Sequence, residues 1–199
     1  MMRRSPNAVF VGGHYVFPGG AVDAADGDVA ANTARFVHHE RPAAGAEFPV
    51  DDPLGHDAYI VAAIREAFEE AGLLLARHRE GLWVDFDDDA TRERFVGLRN
   101  QLNSGSCSFE ELLEREDLVI HARDLTYWSR WITPIGPPRR FDARFFVASV
   151  PSSHDASPDD GELVHAEWLR PGDALQRFED GTFPLIFPTI KTLQSILEP

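Results

Sequence analysis

Apolar and polar positions follow a helical period most clearly over residues 62–75, Ala-Ala-Ile-Arg-Glu-Ala-Phe-Glu-Glu-Ala-Gly-Leu-Leu-Leu. With a turn of about 100° per residue and Glu66 at zero, Glu70 falls at ~+40° and Glu69 at ~−60°. Ile64, Ala67, Phe68 and Ala71 occupy the opposite side, between roughly +100° and +200°. One face therefore suits a core and the other gathers three carboxylates. Gly72 stands where a helix stops in the left-handed conformation, and Asp57 is the N-cap expected to open it.

Elsewhere the pattern is shorter. Residues 9–11 and 15–17 read as strands separated by Gly12-Gly13, and Pro18 closes the second. Residues 27–56 have no strong period, with one short helix at 30–38. Phe95, Leu98 and Leu102 are spaced for a helix that Asp89 caps, making Asp87-Asp88-Asp89 a solvated helix start. Ser108-Phe-Glu-Glu111 is a capping box opening another helix through Leu113. Residues 141–150 are aromatic and β-branched, which suits a central strand. Residues 162–169 alternate, placing Val164, Ala166 and Trp168 on one face. Helices are expected at 171–178, with Pro171 in its first turn, and at 189–197, striped by Ile190, Leu193, Ile196 and Leu197.

Composition narrows the class. A chain of 199 residues, 43% hydrophobic and 26% charged, can bury an ample core as one domain, 1–199. Its net charge of −14 excludes non-specific nucleic-acid binding, which wants a basic face. An anionic substrate stays open, because a bound metal reverses the local field. Cys107 is the only cysteine, so the chain holds no internal disulfide, and a cytoplasmic compartment is expected. No apolar run approaches the roughly 18 residues of a spanning helix, so no membrane partner is expected. The Met-Met-Arg-Arg start lacks the apolar region of a signal peptide.

Candidate chemistry centres on Glu66, Glu69 and Glu70. Like charges at this spacing destabilise a helix, so the cluster calls for cations. Arg65 supplies one positive charge and a divalent metal would supply the rest. A lone E-x-x-E-E is ordinarily a solvated acidic face, but its neighbours change the reading. Arg65-Glu66-Ala67-Phe68-Glu69-Glu70-Ala71-Gly72-Leu73 follows the pattern R-E-U-x-E-E-x-G-U, where U is a bulky apolar residue. Phe17-Pro18-Gly19-Gly20 precedes it. Together these resemble the two halves of the Nudix box, and the chain is identified as similar to the Nudix hydrolases.

The resemblance implies an α/β/α sandwich with a mixed β-sheet. Asp26 stands where the family pattern has a glutamate, one methylene longer. The interval from Asp26 to Arg65 far exceeds the usual seven residues, so 27–56 reads as a loop insertion and 80–130 as a second, largely helical one. Segments 27–56 and 88–118 are expected beside the cleft. The order of Phe-Pro-Gly-Gly, acidic helix, Trp131-Ile-Thr-Pro134, Arg139-Arg-Phe-Asp-Ala-Arg-Phe-Phe146 and Glu167-Trp-Leu-Arg-Pro-Gly-Asp-Ala-Leu175 looks like the long-loop branch of peroxisomal-type coenzyme A diphosphatases. Arg4, Ser5, Gly13 and Phe17 match the spacing of that branch's second signature, while Val9 replaces its second arginine.

By this resemblance Glu66, Glu69 and Glu70 carry Mg²⁺ or Mn²⁺, with the Gly19 carbonyl as a further ligand. Arg65 orients Glu66, and Glu66 or an acid before Glu167 acts as general base. Glu162 is preferred there over Asp159 and Asp160. Arg4, Arg140 and Gly20 line the substrate, with Arg3, Arg139 and Arg144 as further basic groups. The expected partners are a nucleotide-derived small molecule and a second copy of the chain in a homodimer. Three readings remain: a coenzyme A or acyl-coenzyme A diphosphatase, a diphosphatase for ADP-sugars or dinucleotides, and a non-catalytic Nudix-fold binding module. Trp128 and Trp131 read as core or wall residues, the histidines lack ligand spacing, and Cys107 is a bystander.

Overall fold

The stripe read at 62–75 belongs to helix α2 (Gly55–Ala71), which buries Ala58, Ile60, Val61, Ala62, Ile64, Phe68 and Ala71. The computed structural model describes residues 1–8, 11–38, 55–136, 139–158 and 161–198. Ile64 and Ala71 are 0% exposed and Phe68 is 1%, so the period picks out the face that packs. Burial of Phe68 alone contributes about 2–3 kcal/mol. The acidic face is thereby fixed toward the opposite side.

Among the described residues the strands form three small sheets. Strand β1 (Met2–Arg4) lies between β2 (Tyr15–Val16) and β8 (Leu163–Ala166), antiparallel to both. Strand β5 (Leu118–His121) runs parallel to β3 (Phe36–Val37) and antiparallel to β4 (Arg77–His78), which makes that sheet mixed. Strands β6 (Leu125–Ile132) and β7 (Asp142–Ala148) form an antiparallel pair with a register shift between Tyr127 and Ser129.

Helices α3 (Asp89–Asn103) and α4 (Phe109–Arg115) close the main core, where Phe95 and Leu112 meet Ile64, Phe68, Leu74 and Ile120. A second cluster joins Tyr15, Phe183, Leu185 and Leu193 beneath α5 (Pro171–Glu179) and α6 (Phe187–Leu197). A third, of Met2, Ala71, Leu73 and Leu163, locks β1 and β8 onto the end of α2.

Several expectations are corrected. Helix α1 (Ala24–Ala31) replaces the short helix expected at 30–38, and that segment instead reaches β3. A capping box of Asp23 with Asp26 starts α1 early, and Asn32 ends it in extended backbone. Asp57 lies inside the first turn of α2 and accepts from His38 Nδ1 at 2.7 Å, so it is not the N-cap. The cap of α3 is Asp88, whose carboxylate accepts from Thr91 N, one residue before the one expected. Ser108 and Glu111 form their capping box as read.

The helical character of 80–130 ends before Leu118, because β5 is the middle strand of the mixed sheet. Strand β7 pairs only with β6 among the described residues, so it is not central. Val164 and Trp168 are exposed, at 42% and 58%, whereas Ala166 packs with the fully buried Leu163, so the three do not share one face; a register shift between Arg3 and Arg4 of β1 interrupts the alternation. Trp128 donates to Ser195 Oγ at 2.8 Å, and Trp131 meets Phe187 edge-on, which suits walls. Among the described residues no helix is long and apolar enough to cross a membrane.

Candidate active site

The site grows from α2 and the glycine loop after β2. Gly19 donates its N–H to Glu70 Oε2 at 2.8 Å, so it meets the cluster through its amide. Gly20 passes directly over Glu66. A Cβ there would overlap the Glu66 carboxylate, which explains why the loop needs a residue without a side chain.

Arg65 organises the acids. It holds Asp26 with two nitrogens, Nε to Oδ1 at 2.8 Å and Nη2 to Oδ2 at 3.0 Å. Its Nη1 donates to Glu66 Oε1 and to Glu69 Oε2, each at 2.9 Å, and Nη2 also reaches Ala21 O at 3.0 Å. Asp26 is 1% exposed. Its carboxylate also receives the Asp23 N–H at 3.0 Å, so the α1 capping box and the arginine share one acid. A planar guanidinium is the group that can serve several carboxylates at fixed angles. Burial works against its charge, yet the Asp26 hydrogen bonds and surrounding acids hold its pKa above the ordinary value.

The carboxylates stay short of positive charge even so. Burial raises the pKa of Glu66 and of Glu69, and Arg65 offsets only part of this. Glu70 is pushed up to about 7 by burial, against the Gly19 N–H, with Glu66 and Glu162 adding repulsion. Among the described residues no three His, Cys, Asp or Glu side chains are grouped to hold a metal ion as they stand. Arg65 occupies oxygens of Glu66 and Glu69. The donor set nonetheless fits a hard divalent cation: carboxylate oxygens on one helix face, under a loop whose Gly20 leaves space that a Cβ would fill.

Glu162 pairs with Arg4, and both act electrostatically on Glu70, which places the start of β8 beside the acidic helix. Arg4, Ser5, Asn7, Arg139 and Glu162 line a cleft of about 380 Å³. Arg140 does not share it. Its Nε donates to Thr133 O at 3.0 Å, closing the hairpin between β6 and β7, while Arg139 faces the cleft. Arg144 lies against the Tyr59 ring at 3.9 Å, and Arg3 reaches Gly13 O. Val9, Asp159, Asp160, His39 and residues 39–54 of the first insertion lie outside the described residues. Cys107 is buried, which raises its thiol pKa.

Both insertions touch the acidic helix. From the first, Val29 and Ala30 of α1 join Ile60, Val61 and Ile64 of α2 in the core. From the second, Arg99 Nε and Asn103 Nδ2 both donate to Glu69 O, at 2.9 and 3.2 Å. The sequence offered no signal for these two, since they flank an apolar stripe as any polar helix residue does.

A second cleft, of about 440 Å³, is lined by Arg77, Trp83, Arg123 and Asp124 and includes none of the acidic-helix residues.

The sequence model of the NUDT19 Nudix domain family matches residues 1–196. Human acyl-coenzyme A diphosphatase NUDT19 is 31% identical over 209 residues, covering 89% of this chain and 54% of its own. The Gallus gallus protein of that name is 29% identical over 210 residues, covering 89% and 55%. The chain thus spans about half the length of these curated relatives. A crystal structure of a NUDIX hydrolase from Alicyclobacillus acidocaldarius aligns with a TM-score of 0.78 at 30% identity, over 100% of this chain and 82% of that one. With the Arg65–Glu70 cluster, the glycine loop and a matching fold along its length, the chain belongs to the NUDT19 Nudix domain family.

Proposed function

We propose that this chain is a metal-dependent diphosphatase that cleaves coenzyme A or acyl-coenzyme A to 3′,5′-ADP and a phosphopantetheine product. One observation carries the reading: a carboxylate cluster short of positive charge adjoins a cleft walled by Arg4 and Arg139. The relatives named acyl-coenzyme A diphosphatase support the substrate class.

Two phosphates repel an incoming hydroxide, and a bound Mg²⁺ or Mn²⁺ supplies the charge that lowers this barrier and acidifies a water. Glu66, Glu69 and Glu70 would hold it, with the Gly19 backbone beside them. Asp26 fixes Arg65, and Arg65 in turn sets the rotamers of Glu66 and Glu69. Gly20 lets the substrate-facing loop lie against Glu66. Glu66 and Glu162 are the two candidate bases. Glu162 is paired with Arg4 here, and a substrate phosphate competes for that same guanidinium. Binding would draw Arg4 toward phosphate and leave Glu162 able to accept a proton. A cytoplasmic setting agrees with the single cysteine.

Val9, in place of a second arginine, favours a second reading, a diphosphatase for nucleotides lacking a 3′-phosphate. The test is a panel of coenzyme A, acyl-coenzyme A, ADP-ribose and a dinucleotide, assayed with Mg²⁺ and with Mn²⁺. Coenzyme A esters should turn over fastest. Faster cleavage of ADP-ribose overturns the substrate class, and no turnover of any member points to a binding module.

A further inference from the structure

We infer that Arg99, from the helical insertion, is a positioning residue that fixes the last turn of the acidic helix, which carries Glu69 and Glu70, against Ser157. The inference deepens the proposed function and rests on its assignment of Glu66, Glu69 and Glu70 as metal-binding acids.

The argument starts from the end of α2. The last carbonyls of a helix lack intrahelical donors and must find others. Gly72, at φ +71°, sends its N–H to Phe68 O at 2.9 Å, and Leu73 sends its own to Ala67 O at 3.1 Å. That leaves the carbonyls of the turn bearing Glu69 and Glu70. Arg99 Nε and Asn103 Nδ2 satisfy Glu69 O. Ser157 N satisfies Ala71 O at 3.0 Å.

The same guanidinium continues across the junction. Arg99 Nη1 donates to Ser157 Oγ and Nη2 to Ser157 O, each at 3.1 Å. One planar group thus bonds the backbone of Glu69 and the backbone of Ser157. The fit is close. A Cβ on Gly72 would stand 3.2 Å from Ser157 Oγ and 3.4 Å from Arg99 Nη1, at a backbone conformation that disfavours one anyway.

Three consequences follow. A cation at a helix C-terminus opposes fraying, and here the turn that would fray carries Glu69 and Glu70. The spacing between the backbones of Glu69 and Ser157 depends on a rigid fork that lysine cannot reproduce. The insertion therefore reaches the site through backbone, without touching the reacting atoms.

The test compares Arg99→Met, which keeps most of the stem, and Arg99→Lys with wild type. Mn²⁺ affinity is measured by electron paramagnetic resonance of the free ion, alongside kcat, KM and thermal melting. Arg99→Met should weaken Mn²⁺ binding about fivefold or more and lower kcat about tenfold, with KM within about threefold. Arg99→Lys should recover part of both. Unchanged Mn²⁺ affinity and kcat per folded molecule, even with a lower melting temperature, would reduce Arg99 to a brace and overturn the inference. If Arg99→Met does not fold, Ser157→Ala and Asn103→Ala each remove one contact and must move Mn²⁺ affinity in the same direction. Because metal affinity is read without substrate, an inactive wild type that binds Mn²⁺ would refute the proposed function while leaving this inference to stand or fall on the variants.

Discussion

Arg65 and Arg77 grip their aspartates alike. Arg65 holds Asp26 at 2.8 and 3.0 Å, and Arg77 holds Asp124 at 2.7 and 2.9 Å, both through Nε and Nη2. Both pairs are well buried. They part at the remaining nitrogen. Arg77 Nη1 goes to the Gly81 carbonyl at 2.9 Å and its face stacks on Trp83 at 3.6 Å. One cation there meets one anion, and every other contact is neutral. Arg65 Nη1 goes to two more carboxylates, so one cation serves three hydrogen-bonded anions, with Asp23 a fourth at 4.0 Å. Buried bidentate pairs of this kind tie distant segments together in both places. Local charge balance decides which of them also holds chemistry in reserve, because only the unbalanced one is complementary to a further cation.

The comparison is broken most directly at Glu70. Glu70→Gln removes a proposed ligand charge and relieves repulsion, so kcat at saturating Mg²⁺ should fall about 100-fold or more while the melting temperature holds or rises. Activity within about threefold of wild type would take Glu70 out of the metal set.

The two aspartates come next. Asp124→Asn and Asp26→Asn should each lower stability by about 3 kcal/mol in chemical denaturation. Only Asp26→Asn should also lower kcat, about tenfold, since only Arg65 orients the acids. Equal kinetics in the two variants would erase the distinction drawn here. A gentler change is Asp26→Glu, which restores the residue type of the family pattern. The added methylene must enter a buried site and should cost about 1–2 kcal/mol, with kcat kept within about threefold. Smallest of all, Val9→Arg should lower KM for coenzyme A about threefold, and less for ADP-ribose, because only the 3′-phosphate uses the new charge. An equal effect on both substrates would argue against a contact to that phosphate.

What could be read in advance was local. The α2 stripe and the Ser108 box depend on residues a few positions apart, and both formed as their spacing dictates. Helix α1 carries no periodic signal, because its Ala-Ala-Asp-Gly-Asp run has no apolar spacing. Leu163 turns inward because β1 presents Met2 there, a partner set by the far end of the chain. Arg139 and Arg140 are equivalent in sequence, and only the hairpin's own Thr133 carbonyl separates them. Arg99 acts through main-chain oxygens that no side-chain motif advertises. The candidate site was therefore legible in its acids and hidden in what holds them.

The clamp between Asp26 and Arg65 has a topological consequence. It fastens both ends of the excursion that separates the two halves of the box, turning that stretch into a closed ring. Ring closure grows only with the logarithm of length. Extending the interval from the common seven residues to the one present here, about five times longer, adds about 1.5 kcal/mol of entropic penalty. A strong pair at the neck can absorb that. Val29, Phe36, Ile60 and Ile64 lie within that stretch and belong to the core, so length and composition are free to change over evolutionary time only between such anchors, while the acids keep their places.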